Sequence, residues 1–183
     1  MRGSFTLRYA LLTLILAIFA YLYGLDSRFA PKNGDEYPYM HIVRMTADAG
    51  SWLPLQSEMD GIKNTKPPLI FWQGIASTQW ASEWSLTNLR WPSVLYTALT
   101  AALLLISVRR FSGKTQTGVL AAFVWLSFFA TYRYGRPFLT DPPEVFCHLV
   151  QHVDAVTNLW CHHRVGRQQR TRRAKVLRPL VRP

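Results

Sequence analysis

Three stretches without a charged residue constrain this chain more than anything else in it: Tyr9–Leu25, Trp91–Val108 and Thr115–Tyr132, of 17, 18 and 18 residues. A helix that crosses ~30 Å of hydrocarbon needs roughly 17–25 such residues. A helix in the core of a water-soluble protein keeps a polar face at its 3.6-residue period. YALLTLILAIFAYLYGL, PSVLYTALTAALLLISV and VLAAFVWLSFFATY show no such face. They predict an all-α integral membrane fold with these three spans. The mean hydropathy of +0.03 does not betray this, because long polar segments dilute the average. For the first stretch the alternative is a cleaved leader, since Arg2 and Arg8 form a basic front. Its apolar run is long for that role and ends in YLYGLDSR, without a small-x-small cleavage site, so an uncleaved anchor is the better reading.

Basic residues in short loops mark the cytoplasmic side. Arg2 and Arg8 put the N-terminus there, and Arg109, Arg110 and Lys114, with no acid among them, put the RRFSGK loop there too. Two loops on one side require an even number of crossings between them. Tyr9–Leu25 and Trp91–Val108 supply two, so the weaker apolar stretch Pro67–Ser82, with Gln73, Ser77, Thr78 and Gln79, should not cross. It reads as a juxtamembrane or re-entrant helix on the outer face. Thr115–Tyr132 then runs outward again.

Residues 26–90 thus form a large outer loop. It has a turn at KNG and a helical run from Glu36 to Ala49, with Ile42, Met45 and Ala49 at i, i+3 and i+7. That pattern suits a helix lying on the membrane and equally an ordinary surface helix.

Charged groups on the outer side stand close to the span ends: Asp35 and Glu36 after the first, Lys66 before two prolines in NTKPPLIFW, Arg136 and Asp141 in GRPFLTDPP after the third. Any one of them can simply snorkel to the interface. Two carboxylates, a lysine and an arginine converging by topology on one interfacial face instead suggest a site.

In order and spacing, DE…M…AGSWLPL…KPPLIFW…LRWPSVL…RRFSG…GRPFLTD resembles the bacterial branch of the protein mannosyltransferase family, which includes the aminoarabinose transferases that modify lipid A. The resemblance covers about residues 5–146. It implies the N-terminal helices of a GT-C membrane glycosyltransferase, multi-pass in the bacterial inner membrane with a cytoplasmic N-terminus. The implied reaction moves a sugar from a polyprenyl-phosphate donor to an external acceptor: lipid A, a glycan or a protein. Asp35 matches the catalytic aspartate, which accepts a proton from the acceptor hydroxyl as it attacks the anomeric carbon. Lys66 matches the lysine that meets the carrier phosphate, where an ammonium stabilises developing negative charge. Arg136 can share that task with its forked donors. Asp141 matches a second family aspartate that orients substrate or holds Asp35, and Glu36 positions the acceptor or forms part of the turn. Thr65 and Pro38 stand where the aminoarabinose transferases carry an acid and an arginine, so neither a metal nor that sugar is carried across. No cofactor is expected, and the partners implied are the lipid-linked donor and membrane lipids, without specific nucleic acid.

The composition changes after Phe146. Residues 147–183 hold 8 Lys/Arg against 1 acid, four of the five histidines and both cysteines. The resemblance implies many more spans at this point, so residues 147–183 read as a basic, disordered or non-native tail from a truncated or frame-shifted product, and the chain alone is expected to be inactive. Cys147, His148, His152, Cys161, His162 and His163 match no standard zinc spacing, and RVGRQQRTRRAK would hold anionic lipid or nucleic acid only electrostatically. Two other readings stand beside the transferase: a non-enzymatic small membrane protein whose tail binds anionic lipid, and part of a lipid-carrier transporter.

Overall fold

The computed structural model describes residues 2–27, 34–53, 55 and 66–155, with side chains in the first helix at Arg8 and from Leu12 onward. The secondary structure of these residues is helical, without strands: α1 (Arg2–Leu22), α2 (Glu36–Asp48), α3 (Leu69–Ser77), α4 (Leu86–Ser112), α5 (Thr115–Ser127) and α6 (Phe129–Tyr134). Residues 141–155 form α7. Met1–Cys147 make one compact unit and His148–Pro183 a second, of which 148–155 are described, as helix.

Helix α4 is the backbone of the first unit. Ser85 begins it: its extended backbone turns the hydroxyl back to accept from Asn88 N–H at 3.0 Å, satisfying one of the first-turn donors that a helix leaves unpaired. Gly113 ends it, taking the left-handed φ of 70° that a side chain would resist, and its N–H returns to Arg109 O at 2.9 Å. Arg109 and Arg110 in the last turn face the negative end of the helix dipole. At 1.5 Å per residue these 27 residues span about 40 Å. Among the described residues α4 is the one helix long and apolar enough to cross a bilayer; Leu12–Leu22 of α1 is a shorter apolar helix.

Two cores divide the unit. Leu14, Tyr21 and Leu25 of the α1 end, Val94 and Ala101 of α4, and Val119, Ala122 and Leu126 of α5 form a helical layer. Tyr39, Ile42, Val43 and Ala47 of α2, Ile70, Phe71 and Ile75 of α3, Leu89 at the start of α4, and Phe138 and Leu139 form a lobe beside it. Tyr39 meets Phe71 edge to face at 5.7 Å.

Two expectations need correction and a third is sharpened. The stretch Thr115–Tyr132 is not one continuous helix: Phe128 (φ −66°, ψ 128°) is extended and separates α5 from α6. Alone, the 13 residues of α5 cover about 20 Å. The break is tolerated because Leu126 O, no longer bonded along the helix, accepts from Tyr21 Oη at 2.8 Å. Second, α2 begins at Glu36 as anticipated, but its buried face is Glu36, Tyr39, Ile42, Val43, Thr46 and Ala47. Ala49 is exposed. The apolar side of α2 is used up against α3 and Phe138 and is not available to lie on a membrane. Third, the helix within Pro67–Ser82 is only nine residues long, Leu69–Ser77. Thr78, buried after its last turn, closes it by donating to Gly74 O at 2.7 Å.

Candidate functional site

The two cores are joined by a buried ion pair. Glu36 is 1% exposed and Arg90 3%. Arg90 Nε donates to Glu36 Oε1 at 2.6 Å and Nη2 to Oε2 at 2.8 Å, the parallel fork that suits a carboxylate. Glu36 Oε1 also accepts from Phe138 N–H at 2.9 Å. Arg90 Nη1 turns the other way, to Leu25 O at 2.9 Å and Ser27 O at 3.0 Å. One guanidinium and one carboxylate therefore fasten the end of α1, the start of α2, the first turns of α4 and the loop after α6. Buried charges are tolerable only when paired and saturated with hydrogen bonds, as these are.

Arg136 makes a second clasp and is 4% exposed. Its Nε donates to Tyr21 O at 3.0 Å, Nη1 to Tyr132 Oη at 2.6 Å, and Nη2 to Tyr23 O. The guanidinium lies 4.6 Å from the Tyr132 ring centroid, and Tyr132 meets Tyr21 edge to face at 5.4 Å. Tyr21 and Tyr23 belong to the C-terminal end of α1, where carbonyls lack helical partners; Arg136 supplies them.

Of the five residues singled out from sequence, two are thus interior and three are not. Glu36 and Arg136 have their polar atoms engaged inside the protein, so any influence on a bound molecule passes through the backbone they hold. Asp35, Lys66 and Asp141 are exposed. Asp35 is the N-cap residue of α2, directly before the Glu36 anchor. Lys66 stands two residues before Pro68, the N-cap of α3. Proline fits there because its missing N–H would have had no helical partner. Asp141 opens α7, followed by Pro142 and Pro143 in the same first turn, where its charge favours the helix dipole.

What gathers these three segments is Phe138. Its N–H is held by Glu36, next to Asp35; its ring packs in the lobe with Ile70 and Phe71, at the start of the helix that Lys66 precedes; and Asp141 follows three residues later. Asp141 also lines a cleft of about 520 Å³ between α4, α5, α6 and the start of α7, whose walls include Thr97, Leu104, Val124, Trp125 and Tyr134. Arg90 was missed by the sequence reading. The available sign was an arginine at the mouth of an apolar run, which needs a counter-ion, with Glu36 on the same outer loop.

Among the described residues no group of three or more His, Cys, Asp and Glu is placed to hold a metal ion. Cys147 is an exposed free thiol; Cys161, His162, His163 and the RVGRQQRTRRAK run lie outside the described residues. Set against protein families, curated proteins and solved structures, the chain matches none.

Proposed function

We propose that this chain is the N-terminal part of a multi-pass membrane glycosyltransferase that draws its sugar from a polyprenyl-phosphate carrier. The observation that carries the reading is the packing around Phe138: Glu36 Oε1 holds its N–H at 2.9 Å and its ring shares a core with Tyr39, Ile70, Leu139 and Leu89 at the start of α4, so Asp35, Lys66 and Asp141 each stand within four residues of a member of that core. That end is opposite the basic Arg109–Lys114 turn, as an outer-face site requires if basic loops stay inside. An exposed carboxylate on a rigid helix start can take a proton from an acceptor hydroxyl, and Asp35 has that place. An exposed ammonium ahead of α3 can meet the carrier phosphate, and Lys66 has that place. Glu36, Arg90 and Arg136 are positioning residues that fix the backbone under those groups. In this reading α1, α4 and the α5–α6 pair cross or enter the bilayer, with the α2–α3 lobe on the outer side.

The test is carried by the chain reconstituted in lipid nanodiscs. Binding of a short polyprenyl phosphate is measured alongside turnover of the corresponding lipid-linked sugar. Lys66→Ala should weaken carrier binding at least about tenfold, and Asp35→Asn should leave binding intact while removing any turnover. Carrier binding indifferent to Lys66 would refute the assignment whether or not turnover is seen.

A further inference from the structure

The turn between α4 and α5 gathers four cations from distant parts of the chain. Arg109, Arg110 and Lys114 are exposed on the turn itself. The fourth is Arg8, brought there by the register of two helices. Tyr21 Oη donates to Leu126 O, and seven residues back along both helices Leu14 shares a core with Val119. Helices α1 and α5 therefore run parallel, and six residues further back Arg8 comes level with Gly113, in the turn. Arg8 is exposed as well. None of the four side chains makes a hydrogen bond or an ion pair among the described residues. The sequence offers them no acid nearby: none precedes Asp26, and none stands between Glu83 and Asp141.

Helix dipoles account for only part of this charge. Arg109 and Arg110 stand in the last turn of α4, where cations are favoured. Lys114 is instead the N-cap of α5, the end that favours an anion, and its side chain caps nothing. This end of the molecule thus concentrates positive charge without compensation. Next to it, the exposed side chains turn apolar. Leu12 and Ile15 of α1 are 52% and 63% exposed, Ile106 of α4 60% and Leu120 of α5 60%. Each lies within two helical turns of one of the cations.

We propose that Arg8, Arg109, Arg110 and Lys114 form a docking surface for the anionic phospholipids of one bilayer leaflet. The apolar belt selects among anionic partners. A nucleic acid or an acidic protein would meet the cations but leave Leu12, Ile15, Ile106 and Leu120 in water. A phospholipid brings hydrocarbon to the belt and phosphate to the cations. The length agrees: Trp91–Val108 rises about 27 Å at 1.5 Å per residue, close to the ~30 Å of a hydrocarbon core. The cations therefore begin where the headgroups do. An anionic headgroup is favoured over a zwitterionic one, because this end holds no carboxylate to pair with an amine. Each cation at such a surface strengthens the attraction by about fivefold. The surface rests on the membrane reading above but not on any transfer chemistry.

The full chain is reconstituted in phosphatidylcholine bilayers with a trace of spin-labelled phosphatidylglycerol or phosphatidylcholine. Electron spin resonance reads the fraction of each label that the protein immobilises. Phosphatidylglycerol should associate at least about threefold more strongly than phosphatidylcholine. Raising the salt from about 0.1 M to about 1 M shortens the screening length from ~10 Å to ~3 Å and should remove most of the difference. Arg8→Gln should lower the preference as much as Arg109→Gln does, and changing all four cations to glutamine should abolish it. Arg109→Lys with Arg110→Lys keeps the charge and should keep the preference, which separates electrostatics from damage to the fold. A preference that survives the quadruple glutamine variant belongs to another part of the chain and overturns the surface. Loss of preference in the lysine pair, or an Arg8→Gln variant that behaves as the parent, overturns it too. Equal association of both lipids with the parent does so while leaving the membrane reading standing. No immobilised fraction for either label overturns both.

Discussion

Glu36 and Arg90, 54 residues apart in the chain, meet as a two-point fork at 2.6 and 2.8 Å with neither side chain more than 3% exposed. A pair this buried is costly to form and far more costly to break, because removing one member strands the other charge. Glu36→Ala or Arg90→Ala should each destabilise the protein by about 3–5 kcal/mol. Glu36→Leu combined with Arg90→Met should recover much of that loss, since two apolar groups leave no orphan charge. Arg90→Lys should fail to rescue, as one ammonium cannot serve both carboxylate oxygens and the carbonyls of Leu25 and Ser27. Thermal unfolding in detergent, followed by helical circular dichroism, measures all four; single variants as stable as the parent would refute a coupled pair.

Arg136 separates a structural from a ligand-binding guanidinium. If it serves the α1 end, Arg136→Lys loses most of its bonds to Tyr21 O, Tyr23 O and Tyr132 Oη and should cost about 2 kcal/mol, since a carbonyl is left unpaired. Binding of a polyprenyl phosphate, measured below the unfolding range, should be unchanged. The reverse outcome, intact stability with weakened binding, would return Arg136 to the phosphate.

Much of the scaffold was legible because its causes are local. The uncharged stretches mark the helices, the Ser85 cap and Gly113 bracket α4, and the acidic start at Glu36 marks α2. The prolines at 67 and 68 stand where α3 begins. What escaped reading is non-local. No residue near Phe128 announces a break; the helix can stop there because a tyrosine 105 positions earlier takes the freed Leu126 carbonyl. The face of α2 was misjudged for the same reason: its period allows more than one apolar stripe, and Phe71 and Phe138 select the one through Val43. Glu36 looked like a candidate for binding because its partner Arg90 lies beyond any local window.

The α4–α5 hairpin depends on a missing side chain. A Cβ placed on Gly118 would sit 2.5 Å from Leu105 O and 3.2 Å from the Arg109 backbone N. Neither backbone atom can rotate away, so the helices would have to separate. Gly118→Ala should cost about 1–3 kcal/mol, the range for overpacking, and Gly118→Val more. Gly34, with nothing within 4 Å of such a Cβ, is the matched control and should accept alanine with little change. Chemical unfolding of the three variants in parallel decides it, and equal stability of Gly118→Ala and the parent would mean the helices are not in this register.

The last prediction concerns the turn that ends α3. Gln79, Trp80 and Ala81 all have positive φ, 50°, 58° and 63°. Gln79 N–H returns to Ala76 O at 3.2 Å and Trp80 N–H to Ile75 O at 2.9 Å, the crossed pair of bonds that commonly closes a helix through a left-handed residue. Glycine usually takes the first of these positions, because an L side chain there costs roughly 1–2 kcal/mol. The strain is held by Thr78, whose Oγ1 accepts from Ala81 N–H at 3.2 Å, and by Trp80 meeting Trp52 at 4.7 Å. Gln79→Gly should therefore stabilise the protein by about 1 kcal/mol, the relieved strain less the added freedom of the unfolded chain. Ala76→Gly, three residues earlier within α3, should instead lose about 1 kcal/mol by helix propensity alone. Opposite shifts in the unfolding midpoint are the expected result. A loss of stability in Gln79→Gly would show that the left-handed turn is not the ground state of this loop.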